Sequence, residues 1–364
     1  MAAPSNMRIN PFIGDGGTTN YVDFTEVHII PAVSPFVVRL NEVPQKKDPS
    51  NMKVVYMNET TGTPTTTALT EVAATPGVGE FRPDYSTNAD GDEDWNTGLI
   101  EFSSADAGKI IQVSYTGMGT LAGVKNNRFP AWWLDRGDGS DGDFRPTGNI
   151  TIGGLKQYRS AFIPAGVTVT VSRWAILQCQ GAFIVKGTLT ADGQGASGGA
   201  GGKGSVDTPG SGSAGGNENA YASAGGAGGS GSVSGGAGGR LLIGGLGILD
   251  TQEYLIKQMA IAFGGGGGGG GGRGGGSNGG AGGNGGGCIY VVSNEALISG
   301  TLSAKGNSGA SGNNGGGAGG GGGGGSIVIV SSIIIKSGTV SVSGGAGAAA
   351  GGSGYIYLKE LGGM

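Results

Sequence analysis

The chain has 364 residues, of which 86 are glycine, 13% are charged and 37% are apolar. So much glycine and so little apolar side chain exclude an ordinary enzyme domain built round one large side-chain core. A net charge of -4 and a pI near 5.1 come with no Lys/Arg cluster to neutralise phosphates, so nucleic acid and anionic membranes are not expected partners.

Residues 1–19, rich in Gly, Asn and Pro, read either as a docking peptide or as a frayed terminus. MAAPSNMRINPF has no basic stretch followed by an apolar one, and no apolar run is long enough to span a bilayer. The expectation is a chain made in a cytoplasm without classical export. Residues 20–122 read as a β-sandwich-like domain, from the strand-like VDFTEVHIIPAV, PFVVRLNEVP and MKVVYMNET. Its closing stretch predicts a strand over NTGLIEF, a turn at 103–108 and a second strand alternating Ile111, Val113 and Tyr115.

Residues 123–149 form a linker, NNRFPAWWLDRGDGSDGDFRPTGN within it. Its Arg136-Gly137-Asp138 is too short a match to carry an integrin reading, since turn formation explains the Gly and the Asp equally well. Asp135, Asp138, Asp141 and Asp143 are the candidate metal ligands, with calcium the candidate ion, because alternating carboxylates on a flexible turn offer hard oxygen donors. Asp90, Asp92 and Asp94 form a second alternating set; neither set has the terminal bidentate Glu of an EF-hand loop. No other cofactor is indicated.

Residues 150–364 form the Gly-rich distal domain. Three segments in it align without gaps: IVKGTLTADGQG from Ile184, LISGTLSAKGNSG from Leu297 and IKSGTVSVSGGAG from Ile335. CIYVVSNEALISGTLSAKG and SIVIVSSIIIKSGTVSVSG extend the match over equal lengths. A strand pattern that returns like this predicts β-helix-like coils stacked strand on strand. A short helix is expected at 250–259, capped by Asp250 or Thr251. Cys179 and Cys288, both in apolar runs, read as buried free thiols.

Between the strands lie glycine blocks with triplets such as NGGAGGN from Asn278 and AGGAGGS from Ala224. Three residues per turn is the polyproline II period, and such helices have no internal hydrogen bonds. Their backbone groups must pair laterally, which only glycine lets a neighbouring backbone come close enough to do. The fold expected is therefore all-β: a β-sandwich-like domain, then β-helix-like repeats with packed polyglycine II helices. A disordered linker is the competing reading, above all for the nine glycines at 264–272.

The motifs GGAGGN and GGAGGSGSVSGGAGG, alternating with short variable segments over about 190–364, resemble the distal adhesins of T-even-type bacteriophage long tail fibres. NTGLIEF and the IIQVSY strand are similar to small modules of phage tail proteins. The resemblance implies a virion tail protein, with 20–122 as the virion-attachment domain. Implied partners are other phage tail proteins and a host surface polysaccharide or outer-membrane protein, and the assembly implied is a homotrimer, as in tail fibres generally, or a single-copy tip, as in the T-even distal adhesins. The GTL(T/S)A strands depart from the family and suggest a β-helical fibre hybrid. Binding would fall to loops that interrupt the glycine, and Asn217, Glu218, Asn219 and Tyr221 bring polar groups and an aromatic ring to such a loop.

No catalytic residues are assigned. His28 is the only histidine and sits inside the apolar VHIIP, where a packed or interfacial side chain is the simplest reading. The alternatives are a fibre protein without receptor binding and a polysaccharide-cleaving tail spike. A spike would need a carboxylate pair, and the acids beyond Arg145 are scattered. An ice-binding protein ranks third.

Overall fold

The computed structural model describes residues 22–41, 44, 52–87, 93–117, 136–204, 210–215, 227, 264–265, 269–271 and 277–361. The helix expected at 250–259 and the second acidic set lie outside them, Asp94 excepted, which falls within the seventh strand. The protein is all-β.

The first eight strands are β1 (Val22–Ile29), β2 (Val37–Arg39), β3 (Lys53–Met57), β4 (Pro64–Ala68), β5 (Thr70–Glu71), β6 (Glu80–Thr87), β7 (Glu93–Phe102) and β8 (Ile110–Gly117). They form two four-stranded sheets, ordered β1-β8-β3-β4 and β2-β7-β6-β5. Val54, Ile111, Val113 and Tyr115 of the first sheet share one core with Val38, Phe81, Ile100 and Phe102 of the second. The alternation of Ile111, Val113 and Tyr115 thus buries one face of β8 between the sheets. Between β7 and β8 the chain makes one 3-10 turn, Ser104–Asp106, with Ser103 as its N-cap.

The remaining strands are β9 (Asp143–Phe144), β10 (Ile150–Tyr158), β11 (Ser160–Ile163), β12 (Thr168–Cys179), β13 (Ala182–Val185), β14 (Thr188–Thr190), β15 (Cys288–Ile298), β16 (Thr301–Ser303), β17 (Ser326–Lys336), β18 (Thr339–Ser341) and β19 (Tyr355–Glu360). All pair in parallel, in three ladders. One runs β10, β12, β15, β17, β19; the second runs β9, β11, β13 and then the later halves of β15 and β17; the third runs from the start of β12 through β14, β16 and β18.

The sequence repeats stand in register: Cys288 faces Ser326 and Ile298 faces Lys336, while Thr188, Thr301 and Thr339 form one column. Ala175, Leu177, Ile289, Val291, Ile327 and Ile329 from the first ladder, Phe183 and Ile298 from the second, and Leu189 and Leu302 from the third enclose a single core. Cys179 and Cys288 are buried thiols that form no disulfide, and burial pushes the Cys179 thiol pKa up.

Between β16 and β17, between β18 and β19, and in the described residues between β14 and β15, the chain leaves the stack as glycine rows. The row 278–287 bonds to its neighbours at every third residue. Gly280, Gly283 and Gly286 donate to Gly317, Gly320 and Gly323; Gly279, Gly282 and Gly285 donate to Gly202, Gly199 and Ala196. The carbonyls of Asn284, Ala281 and Asn278 accept from Asn307, Ala310 and Asn313, and those of Gly280 and Gly286 from Gly270 and Gly264, all at 2.7–2.9 Å. A β-strand has two hydrogen-bonded neighbours in one plane; this row has four, pointing in different directions.

Glycine serves this layer by lacking a side chain. A methyl on Gly283 would overlap the carbonyl of Asn307, and one on Gly322 the carbonyl of Asn284. The positive φ values in the described rows are confined to Asn314 (44°), Gly315 (88°) and, at the entry, Gly193 (66°). Asn314-Gly315 forms the reversal between the rows 304–313 and 316–325, where Asn and Gly tolerate the left-handed region.

Candidate functional site

Three places could carry function: the junction of the two halves, the acidic segment beside it, and the glycine layer. The outer face of the first sheet contributes Val27, Ile29, Met57 and Ile110 to a cluster with Phe162, Ala182 and Ile184 of the stack, flanked by Leu297 and Ile335. Beside it the only histidine is enclosed completely. His28 Nε2 lies 2.8 Å from Glu26 Oε2, and His28 Nδ1 lies 2.9 Å from Glu295 Oε1. With a carboxylate at each ring nitrogen, both nitrogens donate and the ring is an imidazolium.

Burial opposes that charge, but Glu295 and Glu26 outweigh it and the His28 pKa is pushed up to about 10. Burial likewise works against the Glu26 carboxylate. His28, the Tyr115 hydroxyl and the Asn41 amide more than compensate, and the Glu26 pKa falls below its usual value. Glu295 Oε2 also accepts from the Ile29 amide at 2.6 Å. Arg136 is the fourth charge: burial lowers its pKa, with Glu295 and Glu26 acting in the opposite sense, and its guanidinium donates to Ser332 Oγ at 2.9 Å. Asn41 Nδ2 to the Gln180 carbonyl and Arg145 to Gln112 Oε1 tie the halves further. The cluster is buried on all its carboxylates and the imidazole, so it can clamp two domains but cannot reach a polymer substrate.

The acidic segment resolves into separate roles. Asp138 Oδ1 accepts from the Ser140 amide at 2.9 Å, and Ser140 holds its pKa below the usual range. Asp141 Oδ2 accepts from the Gln157 amide at 2.7 Å. Asp143 Oδ1 accepts from Ser160 Oγ at 2.9 Å, with Arg145 and Arg159 3.7 and 3.6 Å from its other oxygen. These three acids share one stretch of chain but turn to different partners. Among the described residues no group of three or more His, Cys, Asp or Glu is arranged to hold a metal. Asp135, and the receptor candidates Asn217, Glu218, Asn219 and Tyr221, lie outside the described residues.

No protein family, curated protein or solved structure matches the chain.

Among the described residues no helix is long and apolar enough to cross a membrane. Sequence reasoning did not single out Glu295. The available signal was one lone acid inside the apolar YVVSNEALI and one lone histidine inside VHIIP, since ionisable groups in strands that are otherwise buried need each other or an equivalent partner.

Proposed function

We propose that the protein is a phage virion component, a tail fibre or receptor-binding adhesin that presents loops from a rigid glycine layer to the host cell surface. The observation that carries this reading is the three-residue spacing of the lateral bonds round the row 278–287. That spacing fits a sheaf of polyglycine II helices resting on a β-helix-like stack. Such a layer is held by backbone hydrogen bonds and needs neither a wide apolar core nor disulfides, which suits a part that works outside the cell. The N-terminal sandwich, locked to the stack through His28, serves as the attachment end, with other tail proteins as its partners. A host polysaccharide or outer-membrane protein is the target of the loop carrying Asn217, Glu218, Asn219 and Tyr221.

The test is competition. Purified protein added to host cells is expected to block adsorption of the parent phage, and replacing 217–221 with a Gly-Ser segment is expected to abolish the block. Undiminished blocking by that variant would move receptor contact elsewhere. No blocking by the native protein would leave the reading of a structural fibre without receptor binding.

A further inference from the structure

The sequence carries three Asn-Gly steps, Asn278-Gly279, Asn284-Gly285 and Asn314-Gly315, all in the glycine layer. An asparagine followed by glycine is open to attack on its side-chain carbonyl by the next backbone nitrogen, because glycine has no Cβ to shield that nitrogen. The fold separates the three. The Gly279 amide donates to the Gly202 carbonyl and the Gly285 amide to the Ala196 carbonyl, both at 2.8 Å. A Cβ on either glycine would overlap a carbonyl of an adjoining row, that of Gly270 or Gly264, so the backbone there has no room to turn. Asn284 Oδ1 is also engaged, accepting from the Gly198 amide at 2.9 Å.

Asn314 and Gly315 differ in each respect. Both are exposed, and among the described residues neither the Asn314 side chain nor the Gly315 amide has a hydrogen-bond partner. Both sit at positive φ, 44° and 88°, in the reversal that the Gly316 amide closes on the Asn313 carbonyl at 2.7 Å. Turning the Gly315 nitrogen towards the Asn314 side chain therefore breaks no bond, whereas at the other two steps the same turn breaks a contact between rows.

We propose that Asn314-Gly315 is a site of spontaneous deamidation in the folded protein, and that the rows hold Asn278 and Asn284 unreacted. The Gly315 nitrogen gives up its proton and bonds to the Asn314 side-chain carbonyl carbon; the side-chain nitrogen takes up a proton and leaves as ammonia, and a cyclic imide remains. Water opens the imide at one carbonyl or the other, giving aspartate or isoaspartate with one new carboxylate. Either product puts a negative charge on a reversal built from the neutral Asn313, Asn314 and Gly315. Isoaspartate also adds a methylene to the main chain next to Asn313, whose Oδ1 accepts from the Asn278 amide at 2.5 Å. The modification thus ages the layer at the corner where the rows 278–287, 304–313 and 316–325 meet.

The full chain is incubated in mildly alkaline buffer, native in one arm and unfolded in urea in the other, then cut with trypsin and mapped by mass spectrometry. Cleavage after Arg273, Lys305 and Lys336 puts Asn278 and Asn284 in one peptide and Asn314 in the next. In urea all three steps are expected to convert at similar rates. In the native chain conversion at Asn278 and Asn284 is expected to fall at least about tenfold, the worth of one bonded amide, while Asn314 converts at a rate comparable with the unfolded chain. Asn314→Gln, whose longer side chain closes the ring poorly, should leave the second peptide unconverted. Equal native rates at the three steps, fast or slow, would overturn the proposal. So would conversion of the second peptide that persists in Asn314→Gln, which places it at Asn307 or Asn313; fragment spectra of the native peptide make the same distinction if that variant does not fold. These outcomes are independent of adsorption to host cells.

Discussion

The β stack and the glycine layer are two parts of one chain held together by opposite means. In the stack, Ile289, Val291, Ile327 and Ile329 fill a core, and each backbone pairs with neighbours in one plane. In the layer the row 278–287 has no core to fill, and its backbone pairs in four directions. In the stack every apolar side chain adds burial; in the layer every glycine position facing a neighbour must stay empty. The difference teaches that order can come from apolar area or from the absence of side chains, provided the backbone groups find partners.

The two regions should therefore respond oppositely to a change of methyl groups, and the junction should respond to charge. The largest effect is expected at the junction. His28→Ala leaves Glu26 and Glu295 buried without their counter-ion and should cost about 3–5 kcal/mol in chemical denaturation. The pH dependence follows from the raised His28 pKa. Its contribution is full below the ordinary value of 6.5 and is lost as pH rises towards about 10. The lowered Glu26 pKa has the reverse sense: its contribution is present above the ordinary value of 4.5 and is lost as pH falls. Thermal stability should thus decline between pH 7 and 10 in the native protein, and a His28→Gln chain should lose that slope. An unchanged slope would place the titrating group elsewhere.

In the stack, removing methyl groups is the damaging direction. Ile329→Ala should cost about 2–5 kcal/mol, as a cavity in a fully buried coil. In the glycine layer, adding one methyl is the damaging direction. Gly322→Ala, which meets the Asn284 carbonyl, should cost about 1–3 kcal/mol by forcing two rows apart. The smallest effect is expected one triplet position away: Ala281→Ser, on an exposed edge, should stay within about 0.5 kcal/mol. If Gly322→Ala and Ala281→Ser proved equally mild, the rows would not be packed as described.

The repeats were the most legible part of the sequence. The equal lengths of CIYVVSNEALISGTLSAKG and SIVIVSSIIIKSGTVSVSG specify the register in which Cys288 meets Ser326 and Thr301 meets Thr339, because inward positions must stack on inward positions. The NGGAGGN triplets likewise announced a three-residue spacing. Which row lies beside which, and in what direction, was not legible. Gly280 runs parallel to Gly317 while Gly279 runs antiparallel to Gly202, and residues without side chains carry no pattern to encode that choice. The acidic segment could be read only as donors in a row; the partners that separate them come from later in the chain, Gln157 and Ser160 from strands and Arg159 from the bend between those strands. The pairing of His28 with Glu295 spans 267 positions, so the composition of neither strand could name the other.

Hydrogen exchange of the glycine amides in the native protein tests the central claim most directly. If backbone bonding orders the layer, the amides of Gly280, Gly283, Gly286, Gly319 and Gly322 should be protected to a degree comparable with Ile289 and Ile327 in the adjoining strands. Exchange at the free-chain rate in the rows, with protection retained in β15 and β17, would contradict it and leave the stack as the ordered part of the distal half.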